Sequence, residues 1–344
     1  MHYLDVASEI GFDPHPTLAN VGLSPDMFEN QDQTLQAEVV VRLLEQSAAA
    51  SGCETYGLRM AEPRNISALG AVSLLVSQQR TLKDVLNTII SYRQLVNEAL
   101  AIHMENAGKS TILRQEIVIG AQESLRQATE LAIAVLFLTC RSIFGTRWRP
   151  SSVNFSHPAP ASLRIHRRVF QCPVSFGSDF NGIVLPTEIL EISNPLTDPV
   201  MATYARQFIE TMSSGDTVST VQEVRKSIHI LLPMGSATIE QVAKLLAFNV
   251  RSLQRRLDEN GETFVSLINE VRREQALRFM KDPSCALGHI SEQLGYSNPS
   301  SFTRWFATQF GVTPARWRAT QGIRYRRGVM PQAVLPEPRI RRAL

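Results

Sequence analysis

The sequence predicts an α+β amino-terminal domain followed by an all-α carboxy-terminal domain that holds two helix-turn-helix units joined by a long helix. Three observations predict it. The 344 residues, 44% of them apolar, are enough for two ordinary cores rather than one. Charge divides along the chain: residues 1–215 hold 16 Lys+Arg against 21 Asp+Glu, whereas residues 216–344 hold 19 against 11. Helical periodicity runs almost unbroken from residue 237 to residue 320, while the first part mixes helical and strand-like stretches.

In the first part, apolar residues recur at helical spacing over 39–50, 81–95 and 124–144, as in Leu82, Val85, Leu86, Ile89 and Ile90. The β-branched run 111–119 predicts a strand, and 153–157 and 182–186 predict two shorter ones. The small, polar stretch 213–217 lies where the charge changes sign and reads as a linker. The domains expected are therefore 1–213 for sensing or oligomerisation, 217–321 for the helical pair of units, and a basic tail over 322–344. That tail carries Arg324, Arg326, Arg327, Arg339, Arg341 and Arg342 among prolines with no apolar period, a composition that predicts disorder. A second breaker, 232–236, separates a helix at 217–232 from the next.

Several functional classes find little support. The longest apolar stretch, 131–140, is short of the roughly 20 residues that a bilayer needs, so no membrane span is expected. The start of the chain lacks the basic-then-apolar pattern of a secretory signal, and a cytoplasmic location is expected. Cys53, Cys140, Cys172 and Cys285 form no CxxC pair and have no zinc-type spacing; they are expected to be reduced and mostly buried, with no metal bound. No glycine-rich phosphate loop or dinucleotide fingerprint occurs, so no cofactor is expected. His157 and Cys172 make a weak catalytic pair, His157 reading better as a hydrogen-bonded turn residue before Pro158; no catalytic residue is assigned and the chain is not expected to be an enzyme.

The informative stretch is 239–257. Ile239, Val242, Ala243 and Leu246 make the inner face of one short helix, Asn249 caps a second, and Leu253 and Leu257 anchor that second helix one turn apart. Arg251, Ser252, Gln254, Arg255 and Arg256 remain outward. Apolar anchors behind and cations in front are what a helix needs to enter a major groove, where side chains reach base edges and phosphates. The arrangement repeats over 287–310: Ile290 and Leu294 inward, Gly295 at the corner, Ser297 as cap, Phe302 and Phe306 as anchors, and Asn298, Ser300, Ser301, Thr303 and Arg304 outward. Between them an amphipathic helix over 264–280, with Leu267, Ile268, Val271, Ala276 and Phe279 apolar, forms a stiff spacer. Such a spacer would set two reading helices in successive major-groove segments about 10 bp apart. A basic domain joined to a mildly acidic one fits a polyanion partner, because Lys and Arg displace condensed counterions from phosphates.

These residues resemble the AraC/XylS family of transcription regulators. The resemblance covers 222–320 and rests on Ser252-Leu253-Gln254-Arg255-Arg256-Leu257 with Gly261, on Arg272-Arg273 with Ala276, and on the closing runs 295–306 and 310–318. Two positions depart from the family pattern: Ala247 stands at a corner where glycine is common, and Ser291 replaces a small alanine. A looser resemblance over 16–205 is to the non-cupin, arabinose-binding-type sensor domain of one family subgroup, carried by 66–70, 81–86 with Tyr92, 153–160, Phe170, 173–176 and 194–196. The resemblance implies a sequence-specific regulator of promoter DNA, more often an activator, with RNA polymerase as a partner, a small-molecule effector and a homodimer held by the first domain. Tyr92, Arg93, His103, Arg114 and Glu130 would line an effector pocket if the strand and helices pack together, although each taken singly is more often structural. Two rival classes are a DNA-tethered enzyme, which would need a metal cluster or glycine-flanked nucleophile in residues 1–215, and an architectural protein that bends DNA without sequence preference.

Overall fold

The computed structural model describes residues 2–28, 35–120, 124–195, 197–213, 219–283 and 285–323. The expected linker beyond Ser213 and the basic tail from Arg324 onward lie outside the described residues.

Seven helices come first: α1 (Tyr3–Glu9), α2 (His15–Asn20), α3 (Ala37–Ser51), α4 (Tyr56–Ala61), α5 (Val72–Val76), α6 (Leu82–Ser91) and α7 (Arg93–Val96). The expected helices at 39–50 and 81–95 are α3 and the α6–α7 pair. At α6, Thr81 accepts from the Asp84 N–H while the Asp84 carboxylate accepts from Thr81, a reciprocal cap that fixes where the helix starts. Strands β1 (Leu100–Ala107) and β2 (Ser110–Ile117) form a hairpin, and helix α8 (Arg126–Phe144) follows. Then come β3 (Ser152–Asn154), α9 (Arg164–Phe170), β4 (Val174–Ser175), β5 (Gly182–Pro186) and α10 (Pro199–Ser213). The sheet order is β1-β2-β5-β3-β4, antiparallel except for the β3–β4 pair. The strands expected at 111–119, 153–157 and 182–186 are β2, β3 and β5. The periodicity gives no sign of β1 and β4, nor of α1, α2, α4, α5, α9 and α10.

Burial alternates along β2, with Thr111, Leu113, Gln115 and Ile117 buried and the residues between them less so. α8 packs on the face of the buried set, backed by α3 and α4. α4 crosses α8 so closely that a Cβ at Gly57 would stand 2.2 Å from the Gln127 carbonyl oxygen, so glycine is obligatory there. The Gln127 side chain closes the crossing: it accepts from Gly57 N–H at 2.9 Å and donates to Glu54 O at 2.9 Å. By length and composition Arg126–Arg147 is apolar enough to cross a bilayer, more so than the run 131–140 indicated. Its apolar surface is used within the domain, where Ile133, Ala134, Phe137 and Cys140 are almost fully buried.

The other sheet face carries α11 (Thr220–Leu231), the first helix of the carboxy-terminal domain. It is followed by α12 (Ile239–Leu245), α13 (Val250–Asp258), α14 (Phe264–Lys281), α15 (Leu287–Gln293), α16 (Pro299–Phe310) and α17 (Pro314–Thr320). These seven helices share a core of their own, from Val224 and Ile228 through Leu253, Leu257 and Val271 to Phe302 and Phe306. The two domains touch through polar groups: Arg93 pairs with Glu223, Gln293 donates to Asp179 O at 3.1 Å, and His289 lies 3.7 Å from the Asp179 carboxylate.

Candidate nucleic-acid interface

In the first unit, α12 ends at a corner in which Ala247 takes a left-handed conformation, φ 55°, and Phe248 N–H returns to Ala243 O at 2.8 Å. Asn249 then caps α13, accepting from Ser252 N–H at 2.8 Å. Leu253 and Leu257 are fully buried. Arg251, Gln254, Arg255 and Arg256 are exposed and Ser252 is half-buried. Arg256 lies over the Phe248 ring, 4.8 Å from its centroid, which holds the guanidinium near the corner, and Arg255 leans toward Glu259 at 3.5 Å. The Arg255 pair is so exposed that it would yield readily to a phosphate or a base.

The second unit repeats the path with other side chains. Gly295 occupies the corner at φ 71°. The cap is Asn298, which accepts from Ser301 N–H at 2.8 Å, and not Ser297 as the sequence led us to expect. Pro299 explains the shift: lacking an N–H, it fits the first helical position, and the residue before it becomes the cap. Phe302 and Phe306 are buried, and the Phe306 ring lies tilted against that of Phe310 with centroids 4.4 Å apart. Ser300, Thr303 and Arg304 are exposed and Ser301 is half-buried. The Thr303 hydroxyl donates to Pro299 O at 2.9 Å, leaving Arg304 as the outward cation of this helix.

α14 joins the units. Arg225 of α11 reaches Glu270 and Glu274 on it, each at 2.5 Å. Toward the second unit, Arg272 Nε donates to Leu294 O at 3.1 Å and its guanidinium lies 4.6 Å from the Tyr296 ring centroid. Trp305 Nε1–H donates to Asn269 at 3.1 Å, and Arg273 donates to Gln309 at 3.2 Å. Beneath them, His229 and Gln275 are buried, with the Gln275 amide N–H donating to His229 Nδ1 at 2.9 Å. Burial, helped by the nearby Arg278 and Arg225 charges, pushes the His229 pKa down to about 3.

The five residues named for an effector pocket are not brought together. Arg93 donates to Ile90 O at 2.7 Å and pairs with Glu223, beside half-buried Tyr92. His103 and Arg114 lie on the other face of the sheet, opposite one another on β1 and β2, with Arg114 bonded to Glu105 at 2.8 Å and stacked 4.7 Å from the Phe180 ring centroid. Glu130 is fully buried on α8, with His166 Nε2 at 3.2 Å, His157 Nε2 at 3.3 Å and Arg126 Nε at 3.4 Å. They scatter because period-2 alternation turns His103 and Arg114 away from the helices that carry the rest. His157 also bonds Pro158 O at 3.0 Å, the turn role expected of it. Of the four thiols only Cys140 is fully buried, the others being half-buried, and burial raises the pKa of Cys172 and Cys285 to about 11.

Comparison with known proteins divides the chain in the same way. Residues 11–194 match the arabinose-binding domain of AraC transcription regulators, and residues 242–320 match a helix-turn-helix domain. The HTH-type transcriptional regulator VirS of Mycobacterium tuberculosis is 28% identical over 93% of this chain and 95% of its own length. The ornithine utilization regulator of Pseudomonas aeruginosa is 23% identical over 92% of this chain and 93% of its own. The crystal structure of the transcriptional regulator CdpR from Pseudomonas aeruginosa covers 89% of this chain and 96% of its own at 18% identity, with a TM-score of 0.44.

Proposed function

The chain belongs to the AraC/XylS family of DNA-binding transcription regulators, and we propose that it reads a promoter through α13 and α16 while its amino-terminal domain answers a small molecule. One observation carries the reading: two short helices, each started by an asparagine cap and pinned by two buried apolar residues with its polar face outward, the second also braced against α14. Arg251, Gln254, Arg255 and Arg256 on the first helix, and Ser300, Thr303 and Arg304 on the second, are the side chains we assign to bases and phosphates. Asn249, Ser252, Asn298 and Ser301 act at the two helix starts, where backbone N–H groups and cap side chains meet phosphate. Binding is expected to weaken steeply with salt, as counterion release requires.

We further assign activation, contact with RNA polymerase and a cytoplasmic location from the family, and no catalytic role, because the curated relatives are regulators. A homodimer is supported by α10, where Val200, Met201, Tyr204 and Phe208 form an exposed apolar row at helical spacing that could pair with its own copy about a twofold axis. The test is selection of binding sites from random duplex DNA by the full chain, then competition at fixed salt. A specific site should win by at least about 10³-fold over random DNA, and Arg255→Ala should cost about 1–3 kcal/mol and relax preference at one base pair. A protein with no preference among duplexes would not be a sequence reader.

A further inference from the structure

A cavity of about 600 Å³ lies in the amino-terminal domain between the inner face of β1 and β2, α3 and α8, within the range of small-molecule sites. Its walls are mostly aliphatic, among them Leu44, Ile102, Leu131 and Val135. Gln115, at the centre of β2, lines it at 2% exposure, and neither the oxygen nor the nitrogen of its amide has a hydrogen-bond partner. Two unmet polar atoms at that depth are costly, and proteins keep such groups where a ligand or water completes them.

The charge on the wall is the second observation. Arg64 lines the same cavity, is partly buried, and makes no side-chain hydrogen bond or ion pair among the described residues. Burial lowers its pKa. The other ionic groups on the wall are already satisfied: Arg93 pairs with Glu223, and Glu98 is exposed to water. An arginine on the wall of a mostly apolar cavity, with no ion pair among the described residues, is placed to receive an anion.

We propose that this cavity takes an organic acid with an apolar body, its carboxylate shared between Arg64 and the amide N–H of Gln115. The proposal rests on the effector reading of the amino-terminal domain and names the ligand class for it. Its route to the reading helices is short. Gln94, Leu95, Glu98 and Ala99 line both this cavity and a cleft against α11 at the domain boundary, and α7 between them holds the Arg93–Glu223 pair. A ligand that resets α7 alters the seat of α11, on which the carboxy-terminal core is built.

Calorimetric titration of the full chain with decanoate, 1-decanol and decylamine tests this, on wild type, Arg64→Met and Gln115→Leu. Decanoate should saturate one site, with decanol and decylamine at least about tenfold weaker, and Arg64→Met should remove that preference. Gln115→Leu should weaken decanoate while leaving the melting temperature unchanged or higher, a result a purely structural glutamine would not give. No saturable decanoate binding, equal binding of decylamine, or unchanged affinity in both variants overturns the proposal. DNA affinity is measured alongside. Decanoate binding that leaves DNA affinity unmoved supports the ligand class but counts against the effector reading. A DNA response to decanol without decanoate binding overturns the acid and leaves that reading standing.

Discussion

The two helix-turn-helix units follow one backbone plan with different side chains. Both cap the second helix with an asparagine whose oxygen accepts an N–H at 2.8 Å. The first then relies on Leu253 and Leu257 and shows water five exposed polar residues, Arg251, Gln254, Arg255, Arg256 and Asp258. The second relies on Phe302 and Phe306, is tied to α14 through Trp305 and Gln309, and keeps one outward arginine, Arg304. The first unit is therefore the more cationic and the second the more firmly braced. Their local faults differ as well: Ala247 at a left-handed corner in the first, and in the second the unpartnered hydroxyls of Tyr296 and of Ser291, the latter residue 1% exposed.

The largest effect should come from giving the second corner the first one's residue. At Gly295 a Cβ would stand 2.8 Å from the Leu232 carbonyl oxygen in addition to its positive φ, whereas Ala247 suffers only the conformational cost. Gly295→Ala is expected to lose about 2–3 kcal/mol in denaturant unfolding, more than the left-handed conformation alone accounts for. A loss below about 1 kcal/mol would mean that the two corners are equivalent.

Acid should act on both units together, because His229 sits in the core they share. Its folded pKa is about 3, below the roughly 6.5 of an unfolded chain, so below pH 6.5 the unfolded state binds the extra proton. Stability is thus retained above that pH and lost as pH falls toward 3, at up to about 1.4 kcal/mol per unit, or about 2 kcal/mol at pH 5. Protonating Nδ1 also removes the acceptor that Gln275 uses. Fluorescence of Trp305, on the second unit, and helical circular dichroism should lose signal in one transition that moves down with pH. A His229→Gln protein with the same slope would reassign the dependence to other groups.

The caps separate stability from reading. Asn298→Ala and Asn249→Ala should each cost about 1 kcal/mol by losing one capped N–H. The brace on α16 should keep the second helix formed in spite of this, while α13, with no ring cluster behind it, frays. DNA affinity is therefore expected to fall further for Asn249→Ala than for Asn298→Ala; the reverse order would make the second helix the principal reader.

The carboxy-terminal domain was legible because its signals are local. The 3.6-residue period, the asparagine at 249 and the length of α14 all follow from residues within a turn or two of each other, and even the shift of the second cap from Ser297 to Asn298 is set by its neighbour, Pro299 at the first helical position. The amino-terminal domain was less legible because its signals are long-range. β1, Leu-Ala-Ile-His-Met-Glu-Asn-Ala, is rich in helix formers and becomes a strand by pairing with β2. The effector candidates share chemical type but not a face, because strand register turns His103 and Arg114 away from the helices that carry the others. Gln115 gave no sign in sequence, since only burial leaves its amide unmet.

The smallest effects test the faults themselves. Ser291→Ala removes a buried hydroxyl with no partner, and because Ser291 contributes its backbone carbonyl to the corner, where Tyr296 N–H reaches it at 3.0 Å, the corner bond survives. A gain of about 1 kcal/mol is expected. Ala247→Gly relieves the Cβ penalty at φ 55° but loosens the unfolded chain, so the net gain should be smaller, about 0.5–1 kcal/mol. The two sites share no contact in the core and their gains should add. If Ala247→Gly lowers DNA affinity while raising the melting temperature, the strained corner is setting the angle at which α13 is presented, and the alanine there serves reading at the expense of stability. If affinity is unchanged, Ala247 is a tolerated fault, and the aim of the first helix is set by Asn249, Leu253 and Leu257 alone.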